Sequence, residues 1–202
     1  MRISSASPLV LGSSSPRRRE LLTVSGLPFV VRGAAVDESF WVGESPSAYL
    51  TRIVQSKLDA VRSRELDVSG VVLVADTIVI APEGALMGKP ADGAEAVAML
   101  ERLSGGVHWV MTGFMLGDAD PRSEPAHFET VTTAVKFRHL RRGEGRAYAA
   151  TSEGSDKAGG YAIQGRAAAF VERIDGSYTN VVGLPMCELF TALWELGWIG
   201  DR

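Results

Sequence analysis

Cysteine is almost missing: Cys187 stands alone among 202 residues. A single thiol can neither close an internal disulfide nor supply a cysteine-based zinc cage, so nothing points to a disulfide-framed secreted scaffold. Histidine is scarce too. His108, His127 and His139 lack ligand-like spacing, which argues against a histidine zinc site. No run nears the roughly eighteen apolar residues that a spanning helix needs, so no membrane partner is expected. The start, Met1-Arg2-Ile3-Ser4-Ser5, has no signal-peptide layout, because Leu9-Val10-Leu11 and a polar loop follow directly. A cytoplasmic location is the resulting expectation. The net charge of −3, from 21 basic and 24 acidic residues, lacks the basic excess of a protein that coats a duplex, and no nucleic-acid partner is expected. A small anionic ligand needs only a few local cations, and the run Arg17-Arg18-Arg19 stands out.

What is present is ordinary in amount and informative in order. A hydrophobic content of 46% and a charged content of 22% describe a globular chain. At this length it can bury most of its apolar surface without covalent staples. With no repeat, linker or low-complexity tract, residues 1–202 read as one domain, or as two lobes around one long sheet. Pro8 to Gly12 reads as a strand, and Ser15-Pro16 opens a helix that Gly26 and Pro28 close. Phe29 to Val31 is extended. Ser45-Pro46-Ser47 opens a second helix whose apolar residues, Leu50, Ile53, Val54 and Leu58, follow a 3.6 period. Val71 to Ile80 is the strongest strand, apolar throughout as in a sheet buried on both faces, save for Asp76. A helix over Ala94–Leu103, strands over Val107–Leu116 and Phe128–Phe137, a helix over Arg141–Ala150, a strand over Ala168–Ile174 and an amphipathic helix over Leu184–Trp198 complete a mixed α/β pattern. Cys187 is expected in the core with that last helix, and Trp109, Trp194 and Trp198 in core or interface.

Four stretches carry chemistry. In Gly12-Ser13-Ser14-Ser15-Pro16-Arg17-Arg18 a strand feeds a helix N-terminus, where free N–H groups, the helix dipole and two guanidinium groups suit phosphate. An N-capped helix with a solvated basic face fits the bare pattern equally. Asp76 interrupts an apolar strand, and an ionised carboxylate there is costly unless cations, a metal or hydrogen bonds compensate; a structural role is the competing reading. Met87-Gly88-Lys89-Pro90 holds Lys89 at a turn, where an ammonium can meet phosphate or simply face water. Ser155 to Gly165, with Asp156, Lys157 and Gln164 among glycines, has the make-up of a ligand loop and equally of a surface loop. Glu38 and Lys57 complete the polar set, each open to reading as a solvated charge.

Taken in order, Leu11 to Arg18, Val36-Asp37-Glu38, Ala75-Asp76-Thr77, Gly88-Lys89-Pro90, Asp156 to Gly159 with Ala162 to Gly165, and Gly176-Ser177-Tyr178 with Val182 to Pro185 resemble the Maf family of nucleotide pyrophosphatases. Six stretches in register across nearly the whole chain are highly specific. The resemblance implies a two-lobed mixed α/β fold around a long twisted sheet, similar to inosine triphosphate pyrophosphatases, in a homodimer. It implies a nucleoside triphosphate substrate and a divalent cation, Mg²⁺ or Mn²⁺. Arg17, Thr77 and Gln164 match the branch acting on dTTP and UTP rather than the branch acting on 7-methyl-GTP. Gly12 departs from the alanine usual there.

The expected roles follow from that resemblance. Ser13, Arg17, Arg18, Lys57 and Lys89 would hold the triphosphate, with Glu38, Thr77, Asp156, Lys157 and Gln164 also touching substrate. Asp76 would act as general base on a water attacking the α-phosphorus, and Asp76 with Glu38 would hold the metal. Two rivals are a house-cleaning enzyme for modified purine nucleotides or 7-methyl-GTP, and a nucleotide-binding regulator of septum formation with little turnover.

Overall fold

A computed structural model describes residues 2–63 and 70–200. The single region expected over 1–202 includes residues 1, 64–69 and 201–202, which lie outside the described residues, as does the Met1 of the signal-peptide reading. The architecture is mixed α/β, as the sequence indicated. Strands β1 (Leu9–Leu11), β2 (Phe29–Val31), β3 (Val71–Ile80), β4 (Leu86–Met87), β5 (Val107–Asp118), β6 (His127–Phe137) and β7 (Val171–Asp175) form one sheet. Its order is β2-β1-β3-β5-β6-β7, with β4 paired antiparallel to β3. The chain divides into two compact units, Met1–Asp76 with Thr112–Val131 and Gly183–Arg202, and Thr77–Met111 with Thr132–Val182.

In the first unit, β1 lies parallel to both β2 and β3, with Val10 opposite Val30 on one side and Val72 on the other. Side chains alternate along a strand, so each strand offers two faces. Leu9, Leu11, Leu73, Ala75 and Phe114 pack with Leu22 of helix α1 (Pro16–Ser25) and with Leu189 and Leu193 of helix α6 (Met186–Glu195). Val10, Val72, Val74 and Met115 pack with Val54, Leu58 and Val61 of helix α2 (Pro46–Arg62). This double burial is why β3 is apolar at almost every position. Ser45 caps α2 by accepting from the Ala48 N–H at 3.2 Å. Gly26, at φ 71°, ends α1 in the left-handed conformation.

The second unit contains helix α3 (Gly93–Leu103), helix α4 (Glu144–Ala149), helix α5 (Tyr178–Val182) and a row of rings. Edge-on contacts link His108 to Phe137 and Tyr161, Phe137 to Phe170, and Phe170 to Tyr148. His108 shares a hydrogen bond with the Tyr161 hydroxyl at 2.8 Å. Asn180, on α5, donates to Val110 O at 3.0 Å and Thr133 Oγ1 at 2.9 Å.

Several expectations are corrected. The strand read over Ala168–Ile174 is a 3₁₀ turn over Arg166–Phe170 followed by β7. Ala168 N–H bonds back to Gly165 O at 3.0 Å, and alanines lack the branching that favours a strand. The helix read over Arg141–Ala150 begins only at Glu144, after Gly143 at φ 85°. The helix read over Leu184–Trp198 is shortened to Met186–Glu195. Cys187 is exposed rather than core. Its position lies two residues from buried Leu189, about 200° around the helix and so on the opposite side. Trp198 is buried, in line with the core reading, whereas Trp109 and Trp194 are exposed, which removes the core alternative for those two and not the interface one.

Gly12 has a packing reason. A Cβ there would meet Val74 Cγ1 at 2.6 Å and Val61 Cγ2 at 2.8 Å, inside contact distance. Gly12→Ala should therefore destabilise the protein by about 1–3 kcal/mol, as overpacking does, and Val61→Ala in the same chain should recover part of that loss. Urea unfolding midpoints measure both. A second prediction concerns His108, whose pKa burial lowers to about 4. The unfolded chain then binds the extra proton first, so stability is full above about pH 6.5 and falls as pH drops toward 4, at most by about 1.4 kcal/mol per unit. Melting curves across that window should be steeper for the native protein than for His108→Gln.

Candidate active site

Residues 72, 74 and 76 of β3 share one face, the face that α2 covers. Asp76 is thus the polar continuation of the Val72–Val74 row. On α2, Lys57 falls one turn before Val61 and directly before Leu58, so its stem runs along the buried face and its ammonium reaches the end of that row. Lys57 Nζ donates to Asp76 Oδ1 at 2.6 Å. Its other partner is Glu38 Oε1, at 2.7 Å. Lys57 and Asp76 are buried, while the Glu38 side chain remains 39% exposed. One ammonium is shared by two carboxylates, one from the interior and one from a loop.

Arg18 joins this group from the first turn of α1. It is 8% exposed, donates through Nε to Gly183 O at 2.7 Å and through Nη1 to Ser13 Oγ at 3.0 Å. Burial pushes its pKa down; Asp76 pushes it up, Arg17 down and Glu38 up. A guanidinium starts so high that it stays charged. Arg17, half-buried, places a second cation within electrostatic reach. Ser13 Oγ also accepts from the Ser15 N–H at 3.3 Å, so its hydroxyl holds the turn as well as Arg18. Ser13, Arg18, Glu38, Lys57 and Asp76 are therefore brought together in the first unit, with Arg17 beside them.

The donor set fits a hard divalent cation. Asp76 and Glu38 both place a carboxylate oxygen within 2.7 Å of a single cationic nitrogen, so both can face one positive centre. Among the described residues, no group of three or more His, Cys, Asp or Glu could cage a metal. Two carboxylates completed by water and phosphate oxygens are what Mg²⁺ ordinarily takes.

In the second unit, Gly159 N–H donates to Gly88 O at 3.1 Å, which ties the Lys89 turn to the loop carrying Asp156. Lys89, Asp156 and Gln164 are exposed, and Thr77 is half-buried in β3. Lys157 turns toward its own loop, donating to Glu153 O at 2.7 Å and pairing with Asp156. Glu153 also accepts from Tyr148 Oη at 3.1 Å and from the Arg166 N–H at 2.8 Å, which fixes the loop on either side of Gln164.

Sequence reasoning missed three participants. Gly183, at φ 123°, directs its carbonyl to Arg18; it was visible only as part of a motif. Tyr49 Oη donates to Glu38 O at 3.1 Å, and Arg52 donates to Ser39 O at 3.0 Å. Neither carries a sequence signal beyond its helical spacing.

Comparisons with known proteins show which family the chain resembles along its length. The family described as Maf-like protein matches residues 8–196. A protein of Geobacter sp. (strain M21) named dTTP/UTP pyrophosphatase is 47% identical over 195 residues, covering 96% of this chain and 98% of its own length. Proteins of the same name from Geotalea uraniireducens (strain Rf4) and Hahella chejuensis (strain KCTC 2396) are 46% and 44% identical. They cover 95% and 94% of this chain, and 96% and 92% of their own lengths.

Replacing Lys57 by Met should cost about 3 kcal/mol of stability, because Asp76 loses its buried partner. Lys57→Met combined with Asp76→Asn should recover most of that loss. Thermal melting of the three variants distinguishes this coupling from two independent losses.

Proposed function

Since the chain belongs to the Maf family, we propose that it hydrolyses dTTP and UTP to the monophosphate and pyrophosphate. The observation that carries this reading is the Lys57 ammonium shared by Asp76 and Glu38, with Arg18 buried beside them. A passive phosphate site gains nothing from a buried carboxylate, which repels phosphate. A hydrolase gains a base. The name shared by relatives of full-length similarity supports the substrate.

Arg17, Arg18 and Lys57 neutralise the triphosphate and orient it, and Ser13 fixes the turn from which Arg18 extends. Positioning and charge stabilisation supply most of the acceleration in phosphoryl chemistry. Asp76 Oδ1 is bonded to Lys57, so Oδ2 is assigned the proton of the attacking water. The water oxygen bonds to the α-phosphorus as the bond from that phosphorus to the bridging oxygen breaks, and pyrophosphate leaves with the electron pair. Asp76 and Glu38 would hold Mg²⁺ or Mn²⁺, which when bound offsets charge on the phosphate oxygens. The same reading gives Thr77, Lys89, Asp156, Lys157 and Gln164 parts in nucleotide binding, with Thr77, Arg17 and Gln164 favouring a pyrimidine. A homodimer in the cytoplasm goes with it, supported by family membership and by a single cysteine that calls for no oxidising compartment.

A nucleotide panel with Mg²⁺ or Mn²⁺, products separated by chromatography, tests the proposal. Native protein should release dTMP and pyrophosphate from dTTP, and Asp76→Asn should lose about 10²-fold or more in turnover while staying folded. Orthophosphate without dTMP, or near-native turnover by the variant, would reject the reaction or the role of Asp76.

A further inference from the structure

Between β2 and α2 the chain runs from Arg32 to Ser45 without a regular element, and Glu38 sits in the middle of that run. Such a segment has no ladder or helix to fix it, and ordering it costs about 1–2 kcal/mol per residue in backbone entropy. Its exposed apolar residues, Phe40, Trp41 and Val42, contribute little burial in return. Yet Glu38 Oε1 lies 2.7 Å from Lys57 Nζ. Something other than packing has to hold it there.

We propose that Arg52, with Tyr49, is a positioning residue that pins this segment to α2 and thereby keeps the Glu38 carboxylate on Lys57. Arg52 donates through Nε to Glu44 Oε1 at 2.7 Å and through Nη2 to Glu44 Oε2 at 2.6 Å. The same Nη2 donates to Ser39 O at 3.0 Å, and the guanidinium carbon lies 3.9 Å from the centre of the Trp41 ring. Tyr49 adds its bond to Glu38 O, and its ring centre lies 4.5 Å from that of Phe40. Residues 38, 39, 40, 41 and 44 are thus gripped by two side chains one turn apart. Tyr49 and Arg52, three apart, are neighbours on α2, and Lys57 lies further along the same helix. A single helix therefore supplies the cation and holds the acid that meets it.

Ion pairs near the surface contribute little by themselves, and the half-buried Arg52–Glu44 pair is no exception on charge alone. Arg52 differs in using a two-pronged bond, a backbone carbonyl and an aromatic face at once, which a lysine cannot reproduce. The entry angle of the segment is further set by Asp37 Oδ1, which accepts from Ser39 N at 2.9 Å and Ser39 Oγ at 2.6 Å.

The inference rests on Glu38 taking part in turnover, as proposed above, and the test separates the two. Turnover of dTTP, melting temperature and amide exchange of residues 37–44 are measured for the native protein, Arg52→Ala, Arg52→Lys, Glu38→Ala and Arg52→Ala with Glu38→Ala. Arg52→Ala should lose about 10-fold in turnover, as for a group that orients a ligand, and exchange faster at residues 37–44. It should melt within a few degrees of the native protein, and Arg52→Lys should recover only part of the loss. In the Glu38→Ala background, removing Arg52 should cost nothing more. An equal loss in both backgrounds, full activity of Arg52→Ala, or unchanged exchange would overturn the positioning role. A fully active Glu38→Ala would instead refute the part given to Glu38, while faster exchange in Arg52→Ala would still show the grip.

Discussion

An ammonium group taken out of water is costly, and so is a carboxylate; at Lys57 and Asp76 each removes the penalty of the other. Neither could be buried alone in the valine-rich layer between α2 and β3. Because the ammonium lies at the boundary of that layer, it can also hold Glu38, whose side chain is partly in solvent. Three segments far apart in the chain converge on one nitrogen. The cost of this arrangement, relative to an apolar filling, is a stability that the protein recovers through the two hydrophobic clusters flanking the sheet. Polar groups placed against the local rule of an apolar strand are the kind of departure from folding preference found at functional sites.

Much of the fold is legible because burial on both faces leaves a plain trace. The apolar run of β3, broken only by Asp76 and Thr77, and the 3.6 spacing of α2 predict elements that the structure contains within a residue or two. What the sequence leaves unread or misread is short or chemically neutral. Leu86–Met87 and Tyr178–Val182 are too brief to show a period. Arg166–Phe170 is rich in alanine, which suits a turn of helix as readily as a buried strand. Cys187 was placed by its hydrophobic character, although its angular position on α6 sets it outside the buried stripe of Leu189, Ala192 and Leu193.

The site was legible to a different degree at each residue. Asp76 announced itself as a charge in an apolar strand. Arg17, Arg18 and Arg19 look alike in sequence, and only the fold singles out Arg18, buried and bonded to Ser13 and Gly183. Glu38 carries no local signal, since a lone acid in an irregular segment resembles any solvated charge; it was reached through family resemblance. Tyr49 and Arg52 were overlooked for a related reason. Their contribution lies in where their partners run, and no spacing rule encodes the path of a loop without regular structure.

The division of β3 into two faces has an evolutionary consequence. Its pairing with β1, Val10 opposite Val72 and Leu11 opposite Leu73, decides at the same time which residues enter which cluster and which way residue 76 points. Sliding the strand by a single position would turn the carboxylate away from α2 and send a threonine toward the lysine, while an all-apolar strand would scarcely register the change. Conservative exchanges among valine, isoleucine and leucine along β3 are therefore cheap for the lineage, but a one-residue insertion or deletion between β1 and the middle of β3 is not, unless the intervening segment absorbs it. Drift in composition is open to this strand; drift in length is closed.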